Sequence, residues 1–552
     1  MHRDWWKWGN PEELKDLSEY PKAKSYLEEH WGITLRDDFH PPRHFDIPEV
    51  PARRQEHIRD IFATIGQRRI NFKPEDRLEI ALGKSYYDIV RIQDARTLVT
   101  PDAIITPNNH DEVQYIVKQA AEHGVKIIPL GGGSNVVGSL TLEAAEDKHT
   151  IRICMNLRHM GRLLQLDETH LTARFEGGIY GPKLEAFLNE KGFTLGHFPQ
   201  SFEYSTLGGW VVTRSAGQES TYYGKIEDLV ESITVATPLG TIHTNHFTHD
   251  AMGINLLPLF FGSEGTLGVV TEVTVKISRL SRKHRWITAI FPSFEDGAKM
   301  MKTLIQEGLH PSVVRLSNAT ETMMFSQLAD TKTETSWVDK LKKDVQQFVL
   351  QLKNLQEPCL LILKLEQPNA TIAPQVVYVK DLISRNRGMY LGSKIGEKWE
   401  EGRYKTPYLR DSMVEHRILI DTMETMVSWH DVLRLHRNLG IELSKSKAFN
   451  KEKGIYMAHI SHIYPHACCL YVTLLTPMQS GRELEQWHEV KKLVTDTFLK
   501  YNASISHHHG IGFDHQDWYL RYSDPLTLEV LKVVKQKIDP RGVMNPGKLF
   551  DV

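Results

Sequence analysis

The sequence predicts an α+β protein in two parts: a glycine-rich α/β region over residues 96–280, then a largely antiparallel sheet covered by helices. Three observations predict it. The apolar run Ile127, Ile128, Pro129, Leu130 reads as a buried strand and is followed at once by Gly131, Gly132, Gly133, Ser134 and Asn135. Glycine then recurs at predicted strand ends, in Thr206 to Gly209, at Ala216 and Gly217, and from Gly262 to Gly268. After the basic seam of Arg279, Arg282, Lys283, His284 and Arg285 the rhythm changes to short strands alternating with helices, which marks a boundary.

The elements follow in order. Residues 1–95 are mixed and partly helical, broken by Pro41, Pro42, Pro48 and Pro51, with an amphipathic helix over 53–70. Trp5, Trp6 and Trp8 either pack on the protein body or meet a membrane surface, and packing is the preferred reading. Strands are predicted at 103–105, 125–130, 151–155, 171–176, 229–237 and 266–277, with helices at 109–123 and 182–191. Beyond the seam, strands are expected at 286–291, 313–316, 360–365, from 417, at 456–463 and at 470–476. The matching helices are 294–307, 372–386, 429–439, 484–502 and 527–538, with 396–407 read as a polar stretch. The resulting division is 1–95, 96–280, 281–500 and a return segment 501–552.

Composition removes several functional classes. With 552 residues and a formal net charge of -2, nothing favours nucleic acid as a partner. Four cysteines, Cys154, Cys359, Cys468 and Cys469, do not make a disulfide scaffold and fit a reducing compartment. No run approaches the roughly 18 apolar residues of a membrane span. The start lacks the apolar core of a signal peptide, and the ending Lys548, Leu549, Phe550, Asp551, Val552 is not the Ser-Lys-Leu peroxisomal address. A cytoplasmic or peripheral-membrane location is therefore expected.

Consecutive glycines let amide N–H groups converge on an anion, most often phosphate. Neither the dinucleotide fingerprint nor the Walker pattern is present, so the glycines point to a large nucleotide held by scattered backbone loops. His507, His508, His509, Gly510 is the most reactive-looking stretch. Three readings stand: an anion or proton-transfer site, solvated or core histidines, or a metal centre helped by His459, His462 or His466, of which the metal is least favoured. Tyr471 lies in an apolar strand, where a buried hydroxyl needs a partner. Arg315, between Val314 and Leu316, belongs to a ligand pocket or a buried pair, whereas Arg410 equally reads as a surface ion pair; Glu424 and Glu264 are candidate partners for either.

These residues together resemble the vanillyl-alcohol oxidase type of FAD-binding flavoproteins. The resemblance rests on Arg96 to Pro107 with Pro101 and Asp102, Pro129 to Gly138, Thr206 to Gly209, Gly262 to Gly268, and the ending Asp539, Pro540, Arg541, Gly542 with Asn545 to Lys548. Tyr408 to Asp411, Glu424 with Thr425 and Trp429, the strand Ser461 to Tyr471, and His507 to Gly510 are similar to a lipid-synthesising branch of that family. His466 departs from a small residue of that branch, and Phe513, Asp514 and His515 from a more basic continuation.

The resemblance implies a two-part FAD-binding domain with an α+β cap, and FAD held without a covalent bond. Pro129, Gly131, Gly132, Gly133, Ser134, Asn135, Thr206, Gly208, Gly209, Thr213, Ala216, Gly217, Glu264, Thr266 and Gly268 would contact the cofactor. Tyr471, Arg410, His507, His508 and His509 would be catalytic, Arg315, Arg410 and His509 would bind substrate, and no metal is implied. The implied reaction exchanges the acyl group of acyl dihydroxyacetone phosphate for a long-chain fatty alcohol, forming an ether through an adduct at flavin N5. Peripheral membrane contact and a homodimer are compatible with it. The competing reading is an FAD-dependent 2-hydroxyacid dehydrogenase or oxidase, and a noncatalytic lipid-binding role stands third.

Overall fold

The computed structural model describes residues 5–42, 45, 47–93, 98–142, 147, 149–245, 247, 250–281, 283–328, 357–367 and 371–550. Arg96, Arg282 and the chain ends 1–4 and 551–552, all used in the sequence reading, lie outside the described residues.

Two sheets form the first part. The smaller runs in the order Ile70–Asn71, Ala103–Ile105, Arg152–Asn156, Lys126–Leu130, with its last three strands parallel. The helix His110–His123 makes the crossover: the Asn109 side chain accepts the Glu112 N–H, and Gly124 ends it in the left-handed region. Val113, Ile116, Val117 and Ala120 fall on one face and are buried against that sheet. The larger sheet, in the order Leu163–Asp167, Thr172–Glu176, Val269–Lys276, Val230–Thr237, Gly240–His243, is antiparallel throughout. The chain end returns to the smaller sheet, for the Ile127 N–H donates to the Val543 carbonyl and the Asn545 N–H to the Ile127 carbonyl.

The second part is one antiparallel sheet of seven strands: Met389–Gly392, His284–Phe291, Cys359–Glu366, Val313–Ser317, Ile455–Ile463, Ala467–Pro477, Ile418–Ser428. The helices Phe294–Gln306, Ala373–Arg385, Val432–Lys445 and Glu483–Lys500 cover one face. Strand residues alternate between the two faces, apart from a register shift after Ile460. Val314, Leu316, Ala458, Ile460, Leu470, Val472 and Leu474 enter that helical core, while Arg315, Met457, His459, Tyr471, Thr473 and Leu475 line a cavity on the other face.

The amino-terminal segment packs as preferred: Trp6 and Trp8 are 2% and 4% exposed, Trp6 lying among Leu17, Trp31, Leu409 and Met413. The helix expected over 53–70 is shorter, Ala52–Ile61, because the chain turns at Phe62 and re-enters the sheet at Ile70–Asn71. The stretch read as polar over 396–407 is helical at Lys394–Gly402, and the helix Thr406–Glu415 that follows carries Arg410. Pro407, in its first turn, starts rather than breaks it. Among the described residues no helix is long and apolar enough to cross a membrane.

Candidate active site

A cavity of about 450 Å³ lies between the glycine turn and the open face of the seven-stranded sheet. One end is lined by Pro129, Gly131, Gly132, Gly133, Ser134, Asn135, Thr206, Gly208, Gly209, Thr213, Ala216, Glu264 and Gly268. Close approach is obligatory at Gly132, where a Cβ would stand 1.9 Å from the Tyr204 carbonyl oxygen. Among the described residues, the N–H groups of Gly131 to Val136 have no protein acceptor, so this turn offers donors to a ligand. Two expected cofactor contacts lie elsewhere: Thr266 is buried with its hydroxyl donating to the Ser263 carbonyl, and the Gly217 carbonyl accepts from His462 Nε2.

The other end holds the reactive groups. Tyr471 is paired in register with Glu424 on one side and His459 on the other. Its ring stacks on His459, with centroids 4.8 Å apart, and lies 6.0 Å from His508 and 5.5 Å from His509. Burial pushes its hydroxyl well above the ordinary range, with Glu424 adding to the effect, so it is a neutral phenol at rest.

Glu424 organises the histidine run. Its carboxylate accepts the N–H groups of His507, His508 and His509 at 2.6, 3.1 and 2.9 Å, and the Ser506 hydroxyl at 2.6 Å. Burial opposes its charge, but the neighbouring histidines and the Ser506 hydroxyl hold it well below the usual carboxylate range. Glu264 does the same for the next residues, accepting the N–H groups of Ile511 and Gly512 and the Ser139 hydroxyl. Neither glutamate pairs with Arg315 or Arg410; both fasten the loop. His508 and His509 face the cavity, whereas His507 turns behind it, its Nε2 2.8 Å from the Tyr464 hydroxyl.

The two arginines have separate anchors. Arg410 lines the cavity, its Nε and Nη2 donating to Asp411 and its Nη1 to the Lys84 carbonyl. Lys84 in turn donates to the carbonyls of Trp6 and Lys7, and its ammonium is lowered to about 8 by burial. Arg315 donates to Glu321 at 2.9 Å, and His459 Nδ1 lies 3.0 Å from the same oxygen. Burial raises the Glu321 carboxyl, but His459 and Arg315 overrule it and bring it to about 2. Arg315 Nε and Glu321 Oε2 remain buried without a partner among the described residues, so the pair has unused polar capacity.

Sequence reasoning missed Glu321 and Lys84, and it singled out Asp411 only within the Tyr408 to Asp411 segment, not as the anchor of Arg410. It weighed His459 and His462 only as helpers of a least-favoured metal centre, although alternation along 457, 459 and 461 already puts His459 on one face with Met457. His466 is exposed at the hairpin, away from this site. Beside the polar groups the cavity continues between Met324, Phe325, Leu328, Met413, Ile420, Met457 and Leu475, an apolar arm.

Two family models match the chain: the FAD binding domain over residues 101–245 and the FAD linked oxidases, C-terminal domain over residues 280–549. A solved p-cresol methylhydroxylase shares the fold at 14% identity, with TM-score 0.67 over 91% of this chain and 97% of that one. Fold and site define an FAD-dependent flavoenzyme of the vanillyl-alcohol oxidase type.

The chain is 34% identical to the alkyldihydroxyacetonephosphate synthase of Dictyostelium discoideum over 91% of its length and 82% of that protein. A solved structure of alkyldihydroxyacetonephosphate synthase matches with TM-score 0.84 at 28% identity, covering 99% of this chain and 98% of that one. The chain belongs to the alkyldihydroxyacetonephosphate synthase family. The glycine turn, with its donor N–H groups and absent side chains, fits the phosphates of FAD.

Proposed function

We propose that this enzyme exchanges the acyl group of acyl dihydroxyacetone phosphate for a long-chain fatty alcohol, releasing a fatty acid and leaving an ether. One observation carries the reading: Tyr471, His508, His509, Arg410 and Arg315 border a single cavity that continues into an apolar arm. That is what a phosphorylated headgroup joined to a long chain requires.

In this reading residues 96–280 hold FAD without a covalent bond, residues 281–500 cap it, and residues 501–552 supply the histidine loop and the chain return. FAD, when bound, would supply an electron sink at its N5 for the acyl-for-alkyl exchange. The protein does the rest. Tyr471, a neutral phenol, relays the proton of substrate C1 toward His508 or His509 instead of acting as a standing phenolate. Arg410, held rigid by Asp411, stabilises negative charge as the carboxylate leaves. Arg315, with unused donor capacity, takes the phosphate, assisted by His509. The apolar arm receives the chains and excludes water, and substrates of this kind imply contact with a membrane surface.

The test follows the flavin spectrum anaerobically with palmitoyl dihydroxyacetone phosphate, then hexadecanol, with products read by mass spectrometry. Bleaching, recovery without an electron acceptor, and an ether product are expected. Reduction by a 2-hydroxyacid with no response to the acyl substrate would replace this reading with a dehydrogenase. Acid precipitation should release the flavin into the supernatant. Tyr471→Phe and Arg410→Lys should keep bound flavin and lose on the order of 100-fold or more in turnover; near-normal rates would remove them from the mechanism.

A further inference from the structure

At the wall of the cavity four side chains with metal-ligating atoms meet, His462, Cys469, His507 and His508, of which His462 and His508 line it. The Nδ1 or Nε2 of each histidine and the Cys469 sulfur all lie within 4.8 Å of one another. A tetrahedral zinc ion with one sulfur and three nitrogen ligands needs ligand separations of about 3.3–3.8 Å. Closure requires shifts on the order of 1 Å, within the reach of side-chain rotation.

The fold explains the convergence. A register shift after Ile460 puts both Ser461 and His462 on the cavity face, opposite Cys469, which shares that face with Tyr471. Glu424 then fixes the backbone of His507 and His508 above this pair.

The hydrogen bonds assign the nitrogens. His462 Nε2–H donates to the Gly217 carbonyl, leaving Nδ1 as the lone-pair nitrogen, 2.9 Å from the Ser461 hydroxyl. His507 keeps Nε2 on Tyr464, and its Nδ1 stands 2.9 Å from His508 Nδ1. Outer partners of this kind, a carbonyl and a phenol, orient ligating histidines in metal sites. Lys225, the nearby cation, is turned to the His507 carbonyl and Glu227. Glu424, 3.5 Å from His508 Nδ1, supplies a compensating negative charge.

We propose that His462, Cys469, His507 and His508 bind a zinc-class divalent ion that clamps the histidine loop to the sheet. Binding takes the Cys469 proton to solvent, forms one metal–sulfur and three metal–nitrogen bonds, and changes no oxidation state. Four protein ligands close the coordination sphere, so the ion is structural; it fixes the backbone from which His509 reaches the cavity and, with His508 held on the ion, leaves His509 to take the proton that Tyr471 relays. The inference stands on geometry and does not depend on the substrate proposed above.

The purified flavin-containing protein, stripped with a chelator, is titrated with Co²⁺ and read to the red of the flavin bands. Expected are the intense ligand-field bands of tetrahedral cobalt, saturation near one equivalent and displacement by Zn²⁺. Zinc-edge X-ray absorption on the wild type should give one sulfur neighbour at about 2.3 Å. Cys469→Ser and His462→Asn, with flavin content as the check on folding, should weaken binding by about ten-fold or more. Only weak octahedral bands, a sulfur-free zinc shell, or unchanged affinity in both variants would overturn the site.

Discussion

At the scale of single residues, two carboxylates decide where the histidines stand. Glu424 accepts four hydrogen bonds, three of them from consecutive backbone N–H groups, and it is fully enclosed. A glutamine there must turn an NH₂ toward at least one of those donors. Each charge-assisted bond lost costs about 1.5–3 kcal/mol, and the Lys225 ammonium on the His507 carbonyl holds only one of the three residues in its place. Glu424→Gln should therefore retain FAD, whose glycine turn is remote, yet lose turnover on the order of 100-fold. Flavin absorbance beside initial rates separates the two effects. Full activity in the variant would mean that Glu264 and the other holds on the loop, Lys225 among them, keep the histidines in place without Glu424.

At the scale of elements, a buried joint between the helix Gly181–Glu190 and the turn after Thr194 carries its own pH dependence. Glu185 accepts the Leu195 and Gly196 N–H groups and the Thr194 hydroxyl, and burial raises its carboxyl to about 7 despite them. The folded state keeps this proton up to about pH 7, while an unfolded glutamic acid releases it near its ordinary value of about 4.3. Between those values the unfolded state binds fewer protons, so stability falls as pH rises, by at most about 1.4 kcal/mol per pH unit. Glu185→Gln can keep the same contacts, its oxygen taking the two N–H groups and its NH₂ meeting the threonine oxygen. Its thermal midpoint should fall less than that of the wild type between pH 5 and 7; parallel curves would discard the assignment. The same scale shows what the sequence could reveal. The strands at 103–105, 313–316 and 456–463 were legible from apolar runs and alternation, as were the glycine turn and the His507 to Gly510 motif. The register shift at Ser461 was not, because a bulge is set by its partner strand and leaves no periodic trace. Nor was the helix Thr406–Glu415 with Arg410 on its cavity side, for its buried positions pack against two different surroundings and spoil a single apolar stripe. Glu424 and Glu264 were read as partners of arginines because pairing by charge is visible in a sequence; pairing with backbone N–H groups depends on the path of a distant loop.

At the scale of the whole molecule, the cap and the cofactor half are joined by a buried charge knot around Glu219. Its carboxylate takes Arg403 Nη1 at 2.7 Å and lies 3.4 Å from the Lys364 ammonium, which also meets Glu400 at 2.9 Å and Glu366 at 3.5 Å. Tyr223, four residues after Glu219, donates to Glu366 and so crosses the same seam. Glu219, Lys364 and Glu366 are buried, whereas the Glu400 side chain is 32% exposed, and removing one member of the buried set leaves the others uncompensated, at a cost of about 3–5 kcal/mol. Arg403 also lines the cavity, so loosening it opens the wall that the cofactor half shares with the cap. Glu219→Ala should thus separate two events that coincide in the wild type: release of flavin, followed by its fluorescence, and loss of helical circular dichroism. Release should come earlier by about 5 °C or more, while the helices of the cap hold to nearly the original temperature. Simultaneous, unshifted transitions would show that the two halves are joined by their apolar contacts, with the knot serving only to satisfy charges that the fold had to bury.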